Sequence, residues 1–123
     1  MQVTKNFNEI EMSCPCCGAL VYEQSFIDHL QLLRDILQIA FIIKPGGFYR
    51  CRYYNDSLPG GAPTSQHLRG RAADIKISSW SSFSKWKFIK ESANLGLSLG
   101  FYSHHFHIDK RIGNPKTWYG VYS

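Results

Sequence analysis

A histidine and an aspartate seven residues apart, His67 and Asp74, set the first constraint on how this chain can fold. They belong to the stretch Ser65-Gln66-His67-Leu68-Arg69-Gly70-Arg71-Ala72-Ala73-Asp74, with a glycine between them and an apolar run behind. Zinc takes neutral imidazole nitrogen and carboxylate oxygen, and catalytic sites use three protein ligands plus a water. His67 and Asp74 supply two of the three, so the third must come from another element. The run His104-His105-Phe106-His107-Ile108-Asp109, about thirty residues further on, is the best candidate.

At 123 residues the chain is one domain, 1–123, long enough to bury a real core. Its 44% hydrophobic and 19% charged content is that of a globular protein. No apolar run reaches membrane-spanning length; the longest, Ile36 to Ile43, is interrupted by Gln38. The start, Met1-Gln2-Val3-Thr4-Lys5, lacks the apolar core of a secretory signal. The expectation is a chain made in the cytoplasm that needs another export route for any work outside. A net charge of +5 favours anionic polymers, nucleic acid or cell wall alike, because the basic residues are dispersed. Three of the four cysteines are crowded as Cys14-Pro15-Cys16-Cys17, and Cys51 stands alone. Half of a small zinc site, one disulfide to Cys51, and reduced thiols all fit that pattern.

Taken in order, residues 1–24 read as an irregular, cysteine-containing N-terminal arm, with turn signals at Asn6-Phe7-Asn8, Ser13-Cys14-Pro15 and Cys17-Gly18. Ser25 to about Gln38 reads as a helix, with Ser25 and Asp28 resembling a capping box. Phe26, Leu30, Leu33 and Leu37 recur at helical spacing, widened by Ile27 and Ile36; His29 sits beside this stripe as a boundary residue. Residues 39–43 read as a buried strand ended by Pro45-Gly46-Gly47. Pro59-Gly60-Gly61-Ala62-Pro63 marks a loop running into the ligand stretch. A second helix is expected over about Phe83 to Leu95, with Trp86, Ile89 and Ala93 as its apolar stripe and Gly96 at its C-terminus. Leu97 to Tyr102 and His105 to Asp109 read as paired strands joined at Ser103-His104. The aromatic tail, Trp118-Tyr119-Gly120-Val121-Tyr122, is expected to close the sheet, with Trp118 read as core ahead of the alternative that it lines the cleft.

Strand alternation sorts the candidate ligands. From Ala73 to Ser78 it turns Ala73, Ile75 and Ile77 to one face and Asp74, Lys76 and Ser78 to the other. In the later strand it places His105, His107 and Asp109 on one face, opposite Phe106 and Ile108. Two imidazoles and a carboxylate in a row beside His67 and Asp74 make a site rather than a solvated strand face. The resulting fold class is α+β: a mostly antiparallel sheet with helices on one side and a zinc cleft on the other.

S-x-H-x-x-G-x-A-x-D followed much later by H-x-D resembles the M15 zinc D-Ala-D-Ala peptidases, especially the small phage and bacterial cell-wall type. Other segments agree with that resemblance. Asn6-Phe7 with Glu11-Met12 resembles the family's opening segment, Gly47-Phe48-Tyr49-Arg50-Cys51 its G-Y-R-C segment, and Asn55 with Gly60-Gly61-Ala62 the N…G-G-A that follows. The usual S-G-Y-R reads Gly46-Gly47-Phe48-Tyr49-Arg50 here.

The resemblance implies zinc bound by His67, Asp74 and His107, with a water in the remaining position. It implies that Arg50 grips a substrate carboxylate, as its bidentate fork allows. Ser65 and Gln66 are candidates for hydrogen bonds to the substrate or around the ligands. The glutamate that some members carry three residues before the last zinc histidine is replaced by His104. His105 is therefore the preferred base or transition-state stabiliser, with Asp109 second. The implied function is hydrolysis of peptidoglycan stem peptides, as a D,D-carboxypeptidase or an endopeptidase. The setting would be phage or prophage lysis, with a monomer exported by a holin-like partner or carried in the virion. Two other classes stay open. One is a zinc-containing module that binds cell wall or protein without catalysis. The other is a nucleic-acid-binding protein with a cysteine knuckle.

Overall fold

The computed structural model describes residues 2–59 and 61–120. Gly60 of the predicted loop, and Val121 and Tyr122 of the predicted tail, lie outside the described residues. The N-terminal arm is more ordered than its composition suggests. Strand β1 (Gln2–Thr4) pairs antiparallel with β2 (Phe7–Asn8), and Asn8 starts a one-turn helix, α1 (Glu9–Met12). Asn8 accepts from the Glu11 backbone while the Glu11 carboxylate accepts from the Asn8 backbone, a complete capping box. The arm is held because Phe7 and Met12 are fully buried in the main core.

Helix α2 (Gln24–Leu37) buries Phe26, Ile27, Leu30 and Leu33, the stripe expected from spacing. Its N-terminus differs from expectation: Glu23 is the cap residue and makes no side-chain cap bond. Gln38 ends the helix in the left-handed conformation, φ 56°, its N–H donating to the Arg34 carbonyl. The predicted strand over 39–43 does not form. Only Ile43 bridges, to Ile75, because the chain must turn at Pro45-Gly46-Gly47 directly afterwards. That segment instead runs irregularly along one edge of the sheet, where the Ile42 carbonyl accepts from the Lys76 N–H and the following Lys44 N–H donates to the Asp74 carbonyl.

A short helix, α3 (Arg52–Ser57), and a 3₁₀ turn (Gln66–Arg69) lead into β3 (Ala72–Lys76). Ser81 caps α4 (Ser82–Asn94), and Gly96, at φ +73°, follows its end. The buried face of α4 is Phe88 and Ser92, with Ile89 partly buried, not the predicted Trp86–Ile89–Ala93 stripe. Phe88 wins because Phe41, Trp80 and Phe106 all pack their rings on it within 5.8 Å. Trp86 points outward against Phe83 and Lys90.

The remaining strands are β4 (Ser98–Phe101), β5 (His105–Asp109) and β6 (Thr117–Tyr119). The sheet order is β3-β5-β4-β6, antiparallel except for the β4–β6 pair. Its apolar face, Ala73, Ile75, Leu99, Phe106 and Ile108, joins the α2 and α4 stripes in one core. The other face carries Asp74, His105, His107 and Asp109. This is the α+β arrangement expected, with a cleft on the side away from the helices.

Candidate metal centre

Register alone brings the two ligand stretches together. Asp74 and His107 are direct partners across β3 and β5, and alternation turns both out of the core. The 3₁₀ turn delivers the third group. Ser65 caps it, its hydroxyl accepting from the His67 backbone at 3.2 Å, and Gly70 ends it at φ +65°. Gly70 is required there twice over. A side chain would meet the Val21 carbonyl oxygen at 1.8 Å, and the left-handed backbone disfavours any Cβ. His67 is buried and faces its carboxylate and imidazole partners directly.

Three ligand atoms converge. His67 Nε2 and His107 Nδ1 lie 3.3 and 3.0 Å from the same Asp74 oxygen, Oδ1. Ligands bound to zinc at 2.0–2.1 Å in a tetrahedron stand about 3.3 Å apart, so the spacing fits a shared ion. The outward nitrogen of each ring is also engaged. His67 Nδ1 is 2.7 Å from the Phe48 carbonyl, and His107 Nε2 is 2.7 Å from Asp109 Oδ2. An acceptor behind each imidazole fixes the tautomer that turns a lone pair toward the centre. Arg50 steadies the carboxylate: its NH2 group donates to Asp74 Oδ2 at 3.0 Å and its Nε to the Gly46 carbonyl at 2.8 Å. The donor set of two imidazoles and one carboxylate is chemically suited to zinc.

Charge at the site follows from these contacts. Burial works to raise the Asp74 pKa, but the neighbouring His67 charge and the bonds from both imidazoles hold it well below the usual carboxylate range. Burial lowers His67, only partly offset by Asp74. Burial also opposes charge on His107, yet its bonds to Asp109 and Asp74 raise it above the ordinary value. His105 is pushed down to about 4, first by burial, so its imidazole is neutral. It stacks on Tyr102 at 4.4 Å, has its Nε2 4.0 Å from Asp74 Oδ1, and leaves its Nδ1 buried without a partner.

All the predicted site residues line one cleft of about 560 Å³, together with residues that sequence reasoning passed over. His67, Asp74, His107 and His105 cluster as expected. Asp109 is fully buried behind His107, and Arg111 occupies it further through Nε at 3.0 Å and NH2 at 2.6 Å. Ser65 spends its hydroxyl on the turn, and Gln66 accepts from Arg71. Trp118 is half-buried in the cleft wall rather than core, 5.1 Å from the His107 ring and beneath Arg111. It fits there because Gly100, opposite it in β4, has no Cβ; one would lie 2.6 Å from the indole. Lys44, Tyr102 and Arg111 also line the walls, with Leu58, Pro59, Gly61, Ala62 and Thr64 along one side. Arg111 stands two residues beyond Asp109, a spacing that places it on the same strand face had β5 been extended on paper. His104 is exposed in the turn, and its backbone carbonyl, not its ring, is bonded, to Ile77 N–H.

A family model described as Peptidase M15 matches residues 4–109, from the last residue of β1 to the end of β5, and takes in every candidate ligand. Comparison with curated proteins gives no match.

Proposed function

Because the chain belongs to the M15 peptidase family, whose members are metal-dependent, we propose that it is a zinc peptidase of peptidoglycan stem peptides with His67, Asp74 and His107 as its ligands. The observation that carries the reading is the convergence of these three donors, each braced from behind, on the floor of an open cleft. When bound, the metal supplies a Lewis acid for the substrate carbonyl and a water acidified toward neutral pH.

The chain's own residues supply the rest. Asp109 engages the Nε2 side of His107 and so leaves Nδ1, which faces Asp74 Oδ1 at 3.0 Å, as the nitrogen a metal would take. Arg50 holds Asp74, and its remaining guanidinium face borders the cleft, where it can pair a substrate carboxylate. His105, neutral and with its Nε2 turned toward the centre at 4.0 Å from Asp74 Oδ1, is placed to take a proton from the attacking water or to hydrogen-bond the developing oxyanion. Asp109, with its oxygens engaged by His107 and Arg111, acts as a positioning residue. Lys44, Arg50 and Arg111 make the cleft cationic, which suits the free carboxylates of a D-Ala-D-Ala end or a stem peptide. Tyr102 and Trp118 give it an apolar wall for the alanine methyl groups. The setting we propose is cell-wall lysis of the phage or prophage kind. The enzyme acts as a monomer, reaching the wall through a holin-like partner or as part of a virion, with no nucleic-acid partner.

Metal content and turnover on purified peptidoglycan, for the wild type and His67→Ala, test this together. The expected result is loss of both in the variant, with wild-type fragments identified by mass naming a carboxypeptidase or endopeptidase cut. A wild type that is fully zinc-loaded at this centre but releases nothing would make it a non-catalytic binding module instead.

A further inference from the structure

The N-terminal arm and the segment after Arg50 meet at sulfur. Cys14, Cys16 and Cys51 place their three Sγ atoms within 4.8 Å of one another, and none of the chain's four cysteines is in a disulfide. Cys16 Sγ and Cys51 Sγ are 3.8 Å apart. Two thiolates on one tetrahedral zinc, each at 2.3 Å, stand about 3.8 Å apart. Cys17, three residues after Cys14, brings its thiol into range of the Cys14 and Cys51 sulfurs.

The backbone around these sulfurs is shaped to hold anionic sulfur. Cys14-Pro15-Cys16-Cys17-Gly18 closes as a tight turn, with the Gly18 N–H on the Cys14 carbonyl at 2.8 Å and Gly18 at φ +74°. Inside it the N–H groups of Cys16 and Cys17, and that of Cys51 at 3.5 Å, are directed at the Cys14 sulfur. The Tyr54 N–H is 3.4 Å from the Cys51 sulfur, which caps α3. Hydrogen bonds of this kind favour thiolate over thiol. They bring Cys14 to about 7 against the opposing effect of burial, while the Cys51 thiol and the other crowded sulfurs push Cys16 up to about 11. A divalent cation removes that mutual repulsion.

We propose that Cys14, Cys16, Cys17 and Cys51 form a second, closed zinc site with a structural role, separate from the His67 centre. Its four ligands leave no open position, so it does no chemistry. It ties the N-terminal arm to the chain immediately after Arg50, the residue that holds Asp74. The Tyr49 N–H bond to the Met12 carbonyl, 3.1 Å, is the same junction seen from the backbone.

The test is cobalt substitution of the full chain, purified under reducing conditions, for the wild type, His67→Ala and Cys16→Ser. Cys16 is exposed, so its replacement spares the core. Sulfur-to-cobalt charge transfer in the near ultraviolet arises only from thiolate ligands, so it reports this site whatever happens at the other. Two metal ions per wild-type chain are expected, with the charge-transfer band intact in His67→Ala while one metal is lost. Cys16→Ser is expected to weaken or abolish the band and keep the His67-centre metal. A wild type without the band, with four freely titrating thiols or a Cys51 disulfide found by mass, overturns the proposal. An intact band in Cys16→Ser overturns the four-cysteine ligand set.

Discussion

His107 Nε2 and Asp109 Oδ2 stand 2.7 Å apart, on the side of the imidazole away from Asp74. The pair lies along a single strand, two residues apart, so strand alternation is sufficient to create it. Its consequence is that one carboxylate fixes which nitrogen of His107 a metal would take.

Asp109→Ala is therefore expected to weaken metal binding about 10–100-fold, the usual cost of losing a group that orients a ligand. Chelator competition measures this directly. Should affinity stay unchanged while turnover collapses, Asp109 would be acting on the reaction itself and not through His107.

His105 predicts a pH dependence of stability in the chelator-treated protein. Its folded pKa is about 4, below the ordinary 6.5, because the buried ring resists charge. Between those values the unfolded chain binds a proton that the folded chain refuses. The contribution of neutral His105 is thus complete above about pH 6.5 and is lost as pH falls toward 4. His67 is shifted in the same direction and His107 in the opposite one, so the informative quantity is a difference. Urea midpoints of the wild type and His105→Gln should change less with acidification in the variant. Parallel pH curves would remove His105 as the source.

Gly100 predicts how the cleft wall depends on a missing side chain. A Cβ at this position would sit 2.6 Å from the Trp118 ring, whose centroid lies 5.1 Å from that of His107. Gly100→Ala is expected to displace the indole, to cost about 1–3 kcal/mol of stability as overpacking does, and to raise KM more than it lowers kcat. Denaturant midpoints and steady-state kinetics on peptidoglycan fragments check the two parts. An unchanged KM would mean that Trp118 does not touch substrate.

The pattern of what could be read in advance follows from the range of the forces involved. Alternation in β3 and β5 is local, so the partition of Asp74, His105, His107 and Asp109 from Ile75, Phe106 and Ile108 was legible in the sequence. The same holds for the α2 stripe. The α4 stripe was not, because Phe88 is chosen by rings from Phe41, Trp80 and Phe106, which lie far off in the chain. Residues 39–43 have the composition of a strand, but the Pro45-Gly46-Gly47 turn allows only one bridge. Asn8 and Glu11 carried a readable capping box that the turn signals around them obscured. Trp118 reads as core ahead of cleft wall because nothing local shows that Gly100 opens a slot for it.

Arg50 joins the two halves of the site, and one substitution separates its roles. Its Nε and NH2 are committed to Gly46 and Asp74, while the side chain also borders the cleft. Lysine keeps the charge but gathers its donors on one nitrogen, so it cannot reproduce the two bonds that Arg50 makes from separate nitrogens of a rigid fork. In Arg50→Lys the second oxygen of Asp74 loses its fixed partner. Metal affinity is then expected to fall about 10-fold or more, as for other groups behind a ligand. If Arg50 also grips a substrate carboxylate, KM rises further when the variant is assayed at saturating zinc, where the first effect is masked. Chelator competition reads the first role and kinetics at saturating zinc read the second. A change in KM with metal affinity untouched would show that the bond between Arg50 and Asp74 carries no weight in holding the ligand.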